Sequence, residues 1–299
     1  MHAAFLNDRG VVKVAGEDAR GFLNSLITCD ISKLEPRDAR FGALLSPQGK
    51  LLFDFFVVIA PGDEGGGFYL DCPRPLADGL ARKLGLFKLR AKLSIEDISS
   101  AVGVVAVWGG GKGLAELDQL GLAYADPRAA ALGFRIISER GPAAALEGFS
   151  NTASSEDYNA LRISLGIPQG GIDFIYGDAF PHEANMDLLG GIDFAKGCFV
   201  GQEIVSRMQH RGTARTRIVL AAFEGGFGVD AGAEVKIGER VIGRAGSTAN
   251  GLGLLMLRVD RALEAGAQDI RAGNVKVTLT IPDSIIKSLR PAGRAGVSQ

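Results

Sequence analysis

Apolar residues fall in short runs separated by Gly, Pro and Asp, and their spacing predicts strands and helices in alternation. Residues 11–14 form a β-type run. Glu17 to Ile27 then place Phe22, Leu23, Leu26 and Ile27 at helical spacing, so a strand should lead into an amphipathic helix. Phe41–Leu45 and Leu51–Ile59 read as the arms of a hairpin turning at Ser46, Pro47, Gln48 and Gly49. A third strand, Gly67–Asp71, follows the loop Pro61–Gly66. Helical spacing returns over Pro75–Leu86, Leu114–Leu120 and Glu156–Leu165, and Ala101–Trp108 is a β-rich run. The hairpins make the sheets antiparallel or mixed, which predicts an α+β class and excludes a doubly wound parallel sheet.

Beyond Arg217 the pattern becomes one of short strands: Ile218–Phe223, Ala233–Ile237, Arg240–Ala245, Gly253–Val259 and Asn274–Ile281. In the last, Val275, Val277, Leu279 and Ile281 share one face and Lys276, Thr278 and Thr280 the other, as a half-buried strand requires. Gly238 and Glu239 form a two-residue turn with glycine first. A module over 1–212, a small β-barrel over 213–287 and a disordered tail over 288–299 are the expected division.

Composition adds bounds. Lysine plus arginine total 33 against 34 acidic residues, so no global basic field exists and direct nucleic-acid binding is not expected. Cys29, Cys72 and Cys198 lie far apart in sequence, with no paired spacing for a disulfide framework. No apolar run reaches membrane-spanning length, and Met1–Val14 offers no basic leader, so a cytoplasmic protein without a membrane partner is expected.

The densest unusual stretch is Gly190–Glu203, with four glycines in the twelve residues from Gly190 to Gly201. Its centre, Cys198, precedes a helix over Glu203–Gln209 and follows Lys196 closely, a setting in which dipole and cation favour a thiolate. From Lys196 to Arg217 there are five cations (196, 207, 211, 215, 217) and one acid, Glu203, a local balance of plus four. Residue chemistry leaves two readings open: a reactive, anion-attracting thiol site, or a small buried cysteine beside a solvated basic face.

The run Lys196, Gly197, Cys198, Phe199, Val200, Gly201, Gln202, Glu203 resembles the K-G-C-[FY]-x-G-Q-E signature of the YgfZ group, relatives of the glycine cleavage T-protein. Ser206, Arg207, Met208, His210, Arg211, Gly212 and Thr213 extend the likeness. So do Arg162, Gly166, Ile167, Pro168, Pro181, Glu183, Asn185, Leu188, Gly190 and Gly191, and near the N-terminus Gly16, Asp18, Ala19, Phe22, Leu23, Leu26, Thr28 and Asp30. The resemblance implies interleaved α+β subdomains around a central channel, an appended barrel and tetrahydrofolate as cofactor. It also implies a role in assembling or repairing iron–sulfur clusters, including those of tRNA-modifying radical enzymes, with client or assembly proteins as partners.

On that basis Cys198, Lys196 and Asp54 are the candidate chemical residues, and Asp54, Arg162, Glu183, Asn185, Gly197, Gln202, Glu203 and Arg207 the candidate folate contacts. Asp54 is a carboxylate among Leu52, Phe53, Phe55 and Phe56, costly to desolvate alone, and a similarly placed T-protein aspartate is linked to folate chemistry. Ser164 stands where the T-protein pattern has a pterin-holding glutamate, and a serine lacks that bidentate acceptor; Glu183, from the neighbouring segment, offers a replacement carboxylate. The substitution argues against the alternative function, aminomethyl or one-carbon transfer, and a conventional enzyme is not expected.

Neither His182 with Glu183 nor three dispersed cysteines makes a metal site, so none is expected from this chain alone. Gly109–Gly113 fails as a phosphate loop because Gly113 follows Lys112 where Ser or Thr is required. Cys29 and Cys72 are read as structural.

Overall fold

The computed structural model describes residues 1–61, 67–111, 113–139, 141–266 and 268–289. The expectations for the loop after Pro61, for Lys112 and for residues 290–299 fall outside these. The chain divides into two compact units: one of Met1–Leu45, Leu52–Tyr158 and Leu189–Val200, the other of Ser46–Leu51, Asn159–Leu188 and the chain from Gly201 onward.

The first unit runs β1 (His2–Phe5), β2 (Arg9–Ala15), α1 (Ala19–Leu26), β3 (Ala39–Leu45), β4 (Leu51–Ile59), β5 (Gly67–Pro73), α2 (Ala77–Lys88), β6 (Ser94–Asp97), β7 (Gly103–Trp108), α3 (Leu114–Leu117), β8 (Leu122–Ala125), β9 (Phe134–Ser138) and α4 (Pro142–Ala145). One sheet has the order β3-β4-β5-β2-β6 and the other β1-β7-β9-β8. Both helices α1 and α2 pack on the five-stranded sheet through the face that the periodicity marks: Leu23, Leu26, Ile27, Leu80 and Leu84 meet Val12, Val14, Phe55, Val57 and Leu70. Each fully buried side chain of this kind contributes about 1.5–3 kcal/mol.

The other face of that sheet carries charge. Phe56 pairs across strands with Asp71, which places both on one side. Asp71, fully buried, accepts from Arg9 Nε at 2.6 Å, from Arg135 at 2.9 Å and from the Tyr124 hydroxyl at 2.7 Å. Arg135 also donates to Asp126 at 3.1 Å, and Arg128 grips Asp126 at 2.8 and 3.0 Å. The guanidinium of Arg135 lies 4.4 Å from the Phe56 ring centre and that of Arg128 4.7 Å. Three cations, two carboxylates and a phenol thus tie strands of the two sheets of this unit together, each charge having a partner as burial demands.

In the second unit come α5 (Ser155–Ser164), whose first turn belongs to the first unit, α6 (Gln202–Arg211), β10 (Thr216–Phe223), β11 (Glu234–Ile237), β12 (Arg240–Ala249), β13 (Leu252–Arg258), α7 (Val259–Glu264), β14 (Ile270–Ala272), β15 (Val275–Thr280) and α8 (Asp283–Ser288). Strands β10-β13-β12-β11-β14-β15 close into a barrel around Val219, Leu255, Leu257, Val235 and Val277. Gly238, at φ 56, supplies the positive φ expected of the β11–β12 turn.

Three expectations are corrected. Ser288, assigned to a disordered tail, ends α8, and its hydroxyl accepts from Arg217 at 2.9 Å. Arg217, counted in the surface cationic patch, is 1% exposed and forms a bidentate pair with Asp187 at 2.6 and 3.0 Å. Gly141–Ser150, whose content of Ala, Gly and Pro reads as a connection between subdomains, contains α4.

Candidate functional site

The loop that carries Cys198 is built from the end of α1. Thr28, fully buried, donates its hydroxyl to the Gly191 carbonyl at 2.6 Å, receives the Ala43 N–H at 2.8 Å, and offers its own carbonyl to the Asp193 N–H at 2.9 Å. Asp193 then turns the chain by accepting the N–H groups of Ala195 and Lys196 at 2.8 and 3.1 Å.

The Lys196 ammonium donates to the carbonyls of Asn24, Ile27 and Cys29 at 2.8, 2.7 and 2.7 Å. These carbonyls lie at and just past the C-terminus of α1, where backbone acceptors are left over and a cation is favoured. Burial lowers the Lys196 pKa from its ordinary value, partly offset by nearby acidic groups. Phe199 is buried, whereas Cys198 between these anchors is exposed. The loop is therefore held on both sides of a sulfur that faces solvent.

This geometry corrects the expected basis of thiol activation. All three ammonium donors of Lys196 are spent on carbonyls, so the cation fastens the loop instead of bonding the sulfur. Helix α6 begins at Gln202, with Phe199, Val200 and Gly201 between it and the thiol, and Gly201 enters at φ 80. The other two cysteines are sealed: burial pushes the thiols of Cys29 and Cys72 up to about 12. A maleimide counted against native protein is therefore expected to modify Cys198 alone, and all three cysteines in denaturant. Lys196→Met should cost about 1.5–3 kcal/mol for each charge-assisted bond that the variant leaves unreplaced by water. Lys196→Arg should not restore it, because a planar fork cannot fan onto three carbonyls; urea unfolding of both variants checks this.

The candidate residues divide between the units. Lys196, Gly197, Cys198 and Asp54 belong to the first; Asp54 sits in β4, nearly buried at 9% exposure. Arg162, Glu183, Asn185, Gln202, Glu203 and Arg207 belong to the second. Arg162 is buried and bonds Asp173 at 3.0 Å, Ser247 at 2.7 Å and the Ile167 carbonyl at 3.0 Å, so it ties α5 to the barrel strand β12. That commitment removes it as a ligand-facing guanidinium, a correction to its candidate role. Glu183 accepts the Phe180 N–H at 2.8 Å, and burial raises its carboxyl above the usual range. Glu203 and Arg207 form an exposed pair at 2.6 Å, one helical turn apart.

Asn185 donates to the Ile218 carbonyl at 2.7 Å, yet its buried side-chain oxygen has no hydrogen-bond donor among the described residues. It adopts φ 57. Ser164, exposed, turns its hydroxyl back onto the Leu161 carbonyl at 2.7 Å, so the departure from the transferase pattern is a capped helix end. A cleft of about 420 Å3 runs along α6 between Ile204, Met208, Phe180, Glu183, Arg215 and Arg258. Sequence reasoning named Glu183 and counted Arg215 in the basic run, but it missed Arg258, which lines the same cleft from far along the chain.

Residues 215–285 match the family model described as CAF17, C-terminal beta-barrel domain. The mitochondrial iron–sulfur cluster assembly factor IBA57 of Mus musculus is 30% identical over 304 residues, covering 93% of this chain and 84% of that protein. Its Homo sapiens counterpart is 29% identical over 305 residues, covering 93% and 83%. A mitochondrial IBA57 homologue of Mycosarcoma maydis is 31% identical over 224 residues, covering 72% of this chain; the chain spans about half the length of that relative, 55%. Among solved structures, the glycine cleavage system aminomethyltransferase T of Bartonella henselae superposes with a TM-score of 0.74 at 17% identity, covering 97% of this chain and 87% of that one.

The last likeness establishes a T-protein-like fold with a closed C-terminal barrel. Two expectations change. The relatives are IBA57 proteins and not members of the YgfZ group itself, and they are mitochondrial, which overturns the cytoplasmic expectation. The identity to the mouse protein, sustained over nearly the whole chain, decides the assignment: the chain belongs to the family of the iron–sulfur cluster assembly factor IBA57.

Proposed function

We propose that this chain assists the assembly or repair of iron–sulfur clusters, clusters of tRNA-modifying radical enzymes among them, with Cys198 as the residue that meets the cluster or its carrier protein. The observation that carries the reading is the exposed sulfur on a loop fastened by Lys196, Thr28 and Phe199. On meeting iron, such a thiol gives its proton to solvent, donates a sulfur lone pair to the metal and supplies a single ligand, the remaining ligands coming from a partner. The names of the IBA57 relatives support the same process.

The fold family implies tetrahydrofolate. Within the second unit, two acceptors fit a ligand rich in N–H donors: the side-chain oxygen of Asn185, orphaned among the described residues, and the carboxylate of Glu183. Arg162 is not part of the set. Tetrahydrofolate, when bound, carries one-carbon units; what this chain contributes is acceptor groups that orient its pterin. Ser164 turns away from such a role, which places one-carbon transfer behind the assembly reading.

The test has two arms. Expression of the chain in cells lacking their IBA57-type protein is expected to restore the activities of iron–sulfur enzymes; failure to restore any of them contradicts the assembly reading. Titration calorimetry with tetrahydrofolate is expected to show binding that Asn185→Ala weakens, roughly tenfold for one hydrogen bond to a buried group. Absence of heat with the unaltered chain removes the folate part and leaves the thiol part standing.

A further inference from the structure

Helix α2 ends in a surface that the thiol reading does not use. Its inner face packs on the core through Ala77, Leu80 and Leu84, and Phe87 joins them. Leu86 and Leu89 point the other way and are 73% and 89% exposed. From Ala81 to Leu93 the chain carries five cations, Arg82, Lys83, Lys88, Arg90 and Lys92, and no acid. Two of the five have exposed partners, Asp78 for Arg82 and Glu17 for Lys92, contacts that water screens.

The backbone adds an independent sign. Leu89 closes α2 at φ 45 and ψ −108, a conformation that a leucine side chain resists. The turn holds an apolar side chain out in solvent between Lys88 and Arg90.

We propose that this end of α2 docks reversibly on an anionic lipid surface, with Leu86 and Leu89 entering the headgroup boundary and the flanking cations holding the headgroups. Charge complementarity selects the occupant, since a second copy of the chain would present the same five cations and be repelled. Area argues against a stable protein partner: two leucines fall far short of the roughly 800 Å2 per side that such interfaces bury. A bilayer needs only shallow insertion plus attraction at each basic residue. No described helix is long and apolar enough to cross a membrane, and the inference concerns surface contact alone. It revises the expectation that the chain has no membrane partner and stands independently of Cys198.

Flotation of the full chain with vesicles tests it. With equal parts phosphatidylcholine and phosphatidylglycerol at low salt the chain is expected to float, and with phosphatidylcholine alone it is not. Leu86→Ser combined with Leu89→Ser should lower partition by about tenfold or more, as should Lys88→Glu combined with Arg90→Glu. All four positions are solvent-facing or partly so, and an unchanged circular dichroism melt certifies that each variant folds. Failure of the unaltered chain to float with the anionic vesicles overturns the proposal. Undiminished partition of the leucine variant overturns it as well, because the contact would then be charge attraction without insertion.

Discussion

Asp71→Ala is expected to lower the unfolding free energy by about 3–5 kcal/mol, the range for removing one member of a buried charge network. The loss has little to do with the side chain's own packing. Arg9, Arg135 and the Tyr124 hydroxyl all donate to this one carboxylate, and its removal leaves two guanidinium groups desolvated among apolar neighbours. Urea unfolding should show a lower midpoint with little change in slope. Arg82→Ala, which removes an exposed ion pair on α2, should by contrast cost less than about 1 kcal/mol.

The same network sets the response to acid. Burial alone would push the Asp71 carboxyl up, but Arg9 and Arg135 together hold it below its ordinary value. Asp126 is depressed in the same way, against burial, by Arg128 and Arg135. A folded-state pKa below the unfolded value of about 3.9 contributes stability that is present above that pH and lost as pH falls through the folded value. Urea midpoints should therefore hold steady down to about pH 5 and decline progressively below about pH 4.

These residues also show why part of the fold was illegible in the sequence. Strand β9 carries Arg135 at its second position, and a charge there hides the strand from any reading by apolar alternation. Asp71 and Asp126, brought in from β5 and from just beyond β8, and the Tyr158 hydroxyl make that position tolerable. Where the pattern needs no distant partner, it was readable. Helix α1, the β3–β4 hairpin and the alternation of β15 follow from local spacing, and the barrel follows from a series of short strands.

The site was legible in the same uneven way. The glycine-rich run and Cys198 were visible as a motif, and the fold leaves that cysteine exposed. What Lys196 does was not visible, because its three acceptors lie in a segment that the sequence separates from it by more than 160 residues. Charge counting likewise could not tell Arg217, sealed against Asp187, from exposed Arg211 in the same run. A basic residue's sign is written in the sequence; whether water or a carboxylate receives it depends on the fold.

Cys198→Ala is expected to abolish function while sparing the fold. The thiol is exposed, so its removal opens no cavity, and the stability change should lie within about 0.5 kcal/mol. Lys196, Thr28 and Phe199 would still hold the loop in place, but no sulfur would stand on it to supply an iron ligand. The decisive measurement compares this variant with the unaltered chain, at equal abundance, in cells lacking their IBA57-type protein, with iron–sulfur enzyme activities as the readout. The account predicts activities at the level of the empty strain. Activities equal to those given by the unaltered chain would contradict it.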